Sequence, residues 1–286
     1  MKYAFIAEHE QEFSIKRMCQ VLGVSRSGYY AWRERSPSLR ERANTILLAE
    51  IRAAYQISRN TYGSPRIHAY LQRKGIVCGR NRVARLMRAH HIVARRTSKR
   101  HPQTTQQRPG AKTAPNLLQR EFSAEEPNRK WVSDITYIDT AEGWLYLASI
   151  LDLYSRRVVG WAMAEKVDTG LVEKAWLMAL GSRRPKTGLL HHSDRGSQYT
   201  SETYQNHLKD LDCQVSMSRT GNCYDNAVME SFFATLKTEC AYTQFASKAE
   251  ARTAIFEFIE GWYNRQRLHS ALDYFSPEQF EQSSGH

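Results

Sequence analysis

From Trp131 onward the chain follows a pattern that few folds accommodate. "WVSDITYID", "WLYLASILDLY" and "RVVGWAMA" are three β-rich runs separated by short turns. After them "DTGLVEKAWLMALGS" reads as a helix, "GLLHHSD" as a strand, "SETYQNHLKDL" as a helix and "CQVSMS" as a short strand, and 225–240 and 247–264 read as helices. Strands in series, then helices alternating with strands, predict an α/β class: a mixed sheet with helices on its faces. One residue fits that sheet badly. Asp134 falls inside the first strand among Trp131, Val132, Ile135 and Tyr137, where an unpaired carboxylate is costly. A metal ion or a cationic side chain would keep it there.

Two more acids stand in telling places. Asp194, in "SDRGSQY", closes a later strand, the end at which open α/β sheets commonly place their sites. Glu230 lies on the 225–240 helix, about 100° from Met229, on the shoulder of an apolar stripe formed by Met229, Phe232, Phe233, Leu236 and Cys240. Asn226 and Lys237 share its side. Carboxylates are acceptor-only oxygen ligands of the kind Mg²⁺ takes. Two such ions about 3.5–4 Å apart clamp the attacking and leaving oxygens of an in-line phosphoryl transfer. The other acids have plainer explanations: Asp168 as a helix cap, Asp225 as the N-cap of the 225–240 helix, Asp152 as a salt-bridge or supporting partner near Asp134. His191 and His192 alternate along their strand, so at most one can face the site, and neither is expected to ligate. Asn264, Arg265, Arg267 and His269 follow a helix and either meet DNA phosphate or tie the tail to the core.

Charge divides the 286 residues unevenly. Residues 1–120 hold 24 Lys+Arg against 6 Asp+Glu, and 121–286 hold 17 against 23. A strongly cationic half suits a polyanion, and nucleic acid above all, since each neutralised phosphate releases counterions. Within it "SIKRMCQVLGVSRSGYYAWRER" reads as helix, Gly23 turn, helix, with Ser14 and Ser25 as caps. "TYGSPRIHAYLQRKGIVCGRNRVARLMRAHHI" repeats the form, with Ser64 as cap, Pro65 at the first helical position and Gly75 as the stop. Its second helix turns Val83, Leu86 and Met87 inward and spreads Arg80, Arg82, Arg85 and Arg88 over the rest, as a DNA-facing helix would. Three regions are expected: tandem helix-turn-helix elements over 1–94, a polar basic linker over 95–130, and the α/β core over 131–286. Five scattered cysteines without a C-x-x-C pair argue for reduced thiols, as in the cytoplasm, and against a disulfide framework or a thiolate zinc site. No apolar run approaches the roughly 20 residues of a membrane helix.

The stretches "WVSDITYI", "GWLYLASILDLYSRRVVGW", "HHSDRGSQYTS", "SMSRTGNCYDNAVMESFFATLKTE" and "YNRQRLHSALDYFSPEQF" resemble the D-D-E transposases of insertion sequence family three, in particular the product of their second reading frame, whose core is similar to that of retroviral integrases. The resemblance spans nearly the whole chain. Between Asp194 and Glu230 lie 35 residues, the family's signature spacing, and Lys237 matches the basic residue seven positions after the family's Glu. The resemblance implies an RNase-H-like mixed sheet of five strands with flanking helices, behind the all-α DNA-binding region. It implies cleavage of element ends and transfer of their 3′-hydroxyls to DNA, with two Mg²⁺ ions (Mn²⁺ as substitute) held by Asp134, Asp194 and Glu230, and Lys237 on terminal DNA. It implies basic hairpins on the terminal inverted repeats, a homo-oligomer holding two ends, and an upstream-frame protein as fusion or partner. The pattern departs from the family at Asp273, where Gly is usual, which bears on the local turn. A nuclease that only hydrolyses and a DNA-binding regulator with an inactive core are the alternatives. The paired hairpins speak against the first, and the acidic triad with Lys237 against the second.

Overall fold

A computed structural model of the chain describes residues 1–95, 113–219 and 223–283. They form two compact units, dividing between Ile51 and Arg52. The first unit holds α1 (Lys2–Glu8), α2 (Ile15–Leu22), α3 (Arg26–Arg33) and most of α4 (Leu39–Ile57). Ile6, Met18, Cys19 and Tyr29 make its core. Gly23 ends α2 in the left-handed region at φ 62°, and Ser25 caps α3 by accepting the Gly28 N–H at 3.0 Å. Ser14 takes the N-cap position of α2 without a side-chain bond.

In the second unit, α5 (Ser64–Arg73) and α6 (Arg80–Ala89) form the second hairpin. Gly63, not Ser64, is the N-cap of α5. The sheet follows: β1 (Lys130–Thr140), β2 (Gly143–Asp152), β3 (Val158–Ala164), β4 (Leu190–Ser193) and β5 (Gln214–Met217). Its order is β3-β2-β1-β4-β5, with β1 antiparallel to β2 and parallel to β4. The five-stranded mixed sheet with helices on its faces is the architecture expected of this chain. α7 (Thr169–Arg183) covers one face and is capped by Asp168, whose side chain accepts the Leu171 N–H at 3.0 Å. A Cβ at Gly160 would stand 2.7 Å from Ala179 Cβ, so glycine lets α7 lie directly on β3. Trp131, Trp176, Tyr204 and Leu208 fill this core.

α8 (Glu202–Asp210) precedes β5. The helix expected over 225–240 begins later: Cys223–Asn226 is a 3₁₀ turn, and α9 runs Ala227–Glu239. Asp225 is not its cap. Its carboxylate is buried and accepts from Arg219 and Arg120, both at 3.2 Å. The helix expected over 247–264 divides into α10 (Lys248–Phe256) and a π-helical stretch, Glu257–Tyr263. The last helix is α11 (Pro277–Ser283). Of the expected linker, 96–112 lies outside the described residues, while Pro115–Leu118 runs beside β5 and Asn128 bonds to Asp152 at the end of β2. Leu118 is buried, and Ser216 Oγ accepts the N–H groups of Leu117 and Leu118. Among the described residues Cys19, Cys78, Cys213 and Cys240 are free thiols. None of the described helices is long and apolar enough to cross a membrane.

Candidate active site

The site is built where β4 stops short. β1 pairs with β4 only over Lys130–Val132, so beyond Val132 that edge of β1 is left by the strand beside it. Asp134 sits on this stretch, half-buried, and its Oδ1 accepts the N–H of the next residue, Ile135, at 2.8 Å. That bond fixes the carboxylate's rotamer. Asp194 follows the last residue of β4 and accepts the Gly196 N–H at 2.9 Å, so "SDRGSQY" is indeed a turn. Arg195 anchors the turn by donating to the Ser218 carbonyl at 2.8 Å. Glu230 is exposed on the first turn of α9, and Lys237 is half-buried two turns on.

Electrostatics connect them. Burial raises the Asp134 carboxyl well above the usual carboxylate range, the charges of Asp194 and Glu230 raise it further, and Lys237 pulls it back. Burial lowers the Lys237 ammonium, and Asp134 opposes that. Asp194, Glu230 and Lys237 therefore all act on Asp134 across the end of the sheet. Among the described residues no three His, Cys, Asp or Glu side chains stand close enough to share one ion as placed.

The neighbours divide clearly. His191 and His192 are both fully buried and face away into packing. Ser133 Oγ and Tyr204 OH share His191 Nε2 at 3.1 and 3.0 Å, and His192 meets Ser216 and Ser218. Burial pushes them down to about 3 and about 4, so both rings are neutral. Asp152 pairs with Trp131 in register, while Asp134 pairs with Ser149. Asp152 is buried and accepts from Asn128, Tyr154 and Arg183, the salt-bridged reading of that residue.

Asn264 and Arg267, expected at DNA, are corrected by their burial, at 2% and 4% exposed. Asn264 exchanges bonds of 2.9 and 3.0 Å with the backbone of Val158, and Arg267 pairs with the equally buried Glu239 at 2.9 Å. Their polar atoms are spent inside, tying the C-terminal segment to the core. On α6, Arg80, Arg85 and Arg88 are exposed, and Arg82 is half-buried.

Two neighbours of the site escaped sequence reasoning. Tyr199 is fully buried, and burial together with the charges of Asp134 and Asp194 raises its phenol. Tyr137 lies under Lys237, with Nζ 4.0 Å from the ring centroid. Both are tyrosines in apolar surroundings, indistinguishable in sequence from ordinary core.

Residues 124–223 and 211–277 match the integrase core domain, and residues 41–100 match the HTH-like domain. Together with the sheet they define an integrase-core enzyme behind a helix-turn-helix region. The 31 kDa protein of insertion element IS600 from Shigella sonnei is 46% identical over 93% of this chain and 97% of its own length. Transposase InsF for insertion sequence IS3A from Escherichia coli K12 is 42% identical over 98% of both chains. Among solved structures, a chain of the simian T-cell lymphotropic virus intasome in complex with PP2A regulatory subunit B56 gamma shares 15% identity, covering 77% of this chain and 74% of that one, with a TM-score of 0.46. The chain belongs to the IS3 family of insertion-sequence transposases, which are DDE polynucleotidyl transferases acting in DNA transposition.

Proposed function

We propose that Asp134, Asp194 and Glu230 hold two Mg²⁺ ions, or Mn²⁺ in their place, and that the chain cuts element ends and joins their 3′-hydroxyls to target DNA. The observation that carries this reading is Asp134 on the edge of β1 that β4 leaves open, where Asp194, Glu230 and Lys237 all act on its carboxyl. The donor set fits a hard cation: it offers carboxylate oxygens, and both nearby imidazoles are committed elsewhere. Glu230 is the exposed member, so its rotamer is free to change on binding. Bound ions would activate the attacking hydroxyl or water and stabilise the leaving oxygen.

The chain's own residues supply the rest. The Ile135 and Gly196 N–H groups each hold one carboxylate oxygen, of Asp134 and Asp194 respectively, and so orient the two side chains. Lys237 places a cation beside them for a DNA phosphate. The exposed arginines of α6 bind phosphates along the terminal repeats. Two ends must be held at once, so the working form is a homo-oligomer, and an upstream-frame protein acts as fusion or partner. The place of action is the bacterial cytoplasm, at the nucleoid.

The test is a strand-transfer assay with a labelled terminal 3′-hydroxyl. Asp194→Asn is expected to abolish Mg²⁺-dependent cleavage and joining while end binding persists. Cleavage at the parental rate would sink the assignment, and products of hydrolysis alone from the parent would favour a plain nuclease.

A further inference from the structure

The site does not stop at its carboxylates. Lys237 lies over Tyr137, three residues on from Asp134 in β1, with Nζ 4.0 Å from the ring centroid, and Tyr137 meets Trp144 edge-on, with ring centroids 5.0 Å apart and planes at 86°. Trp144, the second residue of β2, is in register with Asp139, and it is 49% exposed. A large ring so exposed at a hairpin end stabilises the hairpin less than it would if covered. Lys237, Tyr137 and Trp144 thus form a continuous strip from α9 across β1 to β2, with a cation at one end and a half-exposed indole at the other.

We infer that Tyr137 and Trp144 form a stacking shelf for one unpaired nucleobase of the DNA end whose backbone lies at Lys237. The inference rests on the proposed reading of the acidic site. The occupant follows from the strip's chemistry. Aromatic faces accept any base, and a neighbouring cation holds its phosphate. An apolar protein surface would match the indole and leave the ammonium and the carboxylates beside it unmet. A duplex offers no free base face, so the shelf selects an end whose last pairs have opened, and it favours opening where the chemistry takes place.

The experiment measures binding by the full chain carrying Asp194→Asn, so that no turnover intrudes. The probe is a duplex bearing the terminal sequence that flanks the reading frame, with single abasic sites walked through its last positions. One abasic position is expected to weaken binding about tenfold, within the range for losing one stacked base. Adding Trp144→Ala is expected to weaken the intact duplex to the same extent and to remove the penalty at that position. Trp144→Phe is expected to restore both. Parental affinity in Trp144→Ala, an abasic penalty that persists in it, or no sensitive position at all would each overturn the shelf. So would a change in molecular mass of DNA-free Trp144→Ala, which would assign the indole to contact with a second copy. The acidic-site reading fails separately: it is lost if Asp194→Asn alone still joins strands, whatever the abasic scan shows.

Discussion

At the scale of single residues, Asp273 shows how a departure from a family pattern is absorbed. It stands where the family pattern carries Gly, and it adopts φ 47° and ψ 39°, followed by Tyr274 at φ 60°. The turn is therefore kept, in the left-handed region that disfavours a side chain, though Asp and Asn less than most. Asp273→Gly should raise stability by roughly 0.5–1 kcal/mol, read as a higher denaturation midpoint at unchanged slope. A lower midpoint would mean that the carboxylate has a role of its own. Asp225 yields a prediction in pH. Burial pushes its carboxyl up, but hydrogen bonds from Arg219 and Arg120 outweigh this and hold it at about 2. An unfolded Asp titrates near about 3.9, so its stabilising contribution is complete above that pH and is lost as the pH falls through about 2. The stability gap between the parent and Asp225→Asn should be flat at neutral pH and close between about pH 4 and 2. A gap independent of pH would refute the ionic account. Legibility at this scale was uneven for a physical reason. Asp134, Asp194 and Glu230 could be picked out because a charge in an apolar strand, a charge at a strand end and a charge on a helix shoulder are local anomalies. Asn264 and Arg267 could not be placed, because their burial depends on Val158 and Glu239, 106 and 28 residues away.

At the scale of elements, α9 carries Glu230 near one end and is fastened at the other. Glu239 accepts from Arg267 at 2.9 Å and from the Trp262 indole at 3.0 Å, with both charged partners no more than 5% exposed. Removing one partner of such a pair leaves a buried charge unmatched and typically costs about 3–5 kcal/mol. Glu239→Ala should therefore be strongly destabilising by chemical denaturation, and combining it with Arg267→Met should recover most of the loss. A single mutant within about 1 kcal/mol of the parent, on the scale of an exposed pair, would show that water reaches the site. The same region shows where periodicity misleads. The apolar spacing over 247–264 reads as one helix, yet Glu257–Tyr263 widens to a π-helix, with the Asn264 N–H bonding the Ile259 carbonyl at 3.0 Å. Nothing in local spacing records that shift. It buries Trp262 and Tyr263 on one side, as packing against α9 and Tyr62 requires. The strands were easier, because β1 and β2 are runs rich in β-branched, aromatic and other apolar residues that a short turn separates, and they pair over ten residues.

At the scale of the whole chain, the expected boundary near residue 94 meets a different physical grouping. Residues 52–95 lie in the same compact unit as the sheet. Tyr62 OH accepts the Leu268 N–H at 2.7 Å, and Arg73 donates to the Tyr274 carbonyl at 2.7 Å. A continuous path runs from the arginine-bearing hairpin through residues 267–274 to Glu239 and along α9 to Glu230. Binding by α6 would then set the distance between a gripped DNA segment and the acidic site without a flexible joint. The charge asymmetry shows how to separate the two tasks. Replacing the exposed Arg80, Arg85 and Arg88 by Ala should weaken end binding and make the slope of log K against log salt shallower by roughly 0.9 for each phosphate no longer neutralised. Chelating the divalent ions should leave that slope in place and abolish cleavage alone. The path adds a further requirement. In the triple arginine variant, DNA that does bind should be cut at scattered positions, because the register between grip and site is lost. Titrations at several salt concentrations, read beside mapped cleavage positions, check both effects. An unchanged slope would remove α6 from the interface, and a parental cleavage map at weakened affinity would mean that the hairpin supplies affinity without setting the distance.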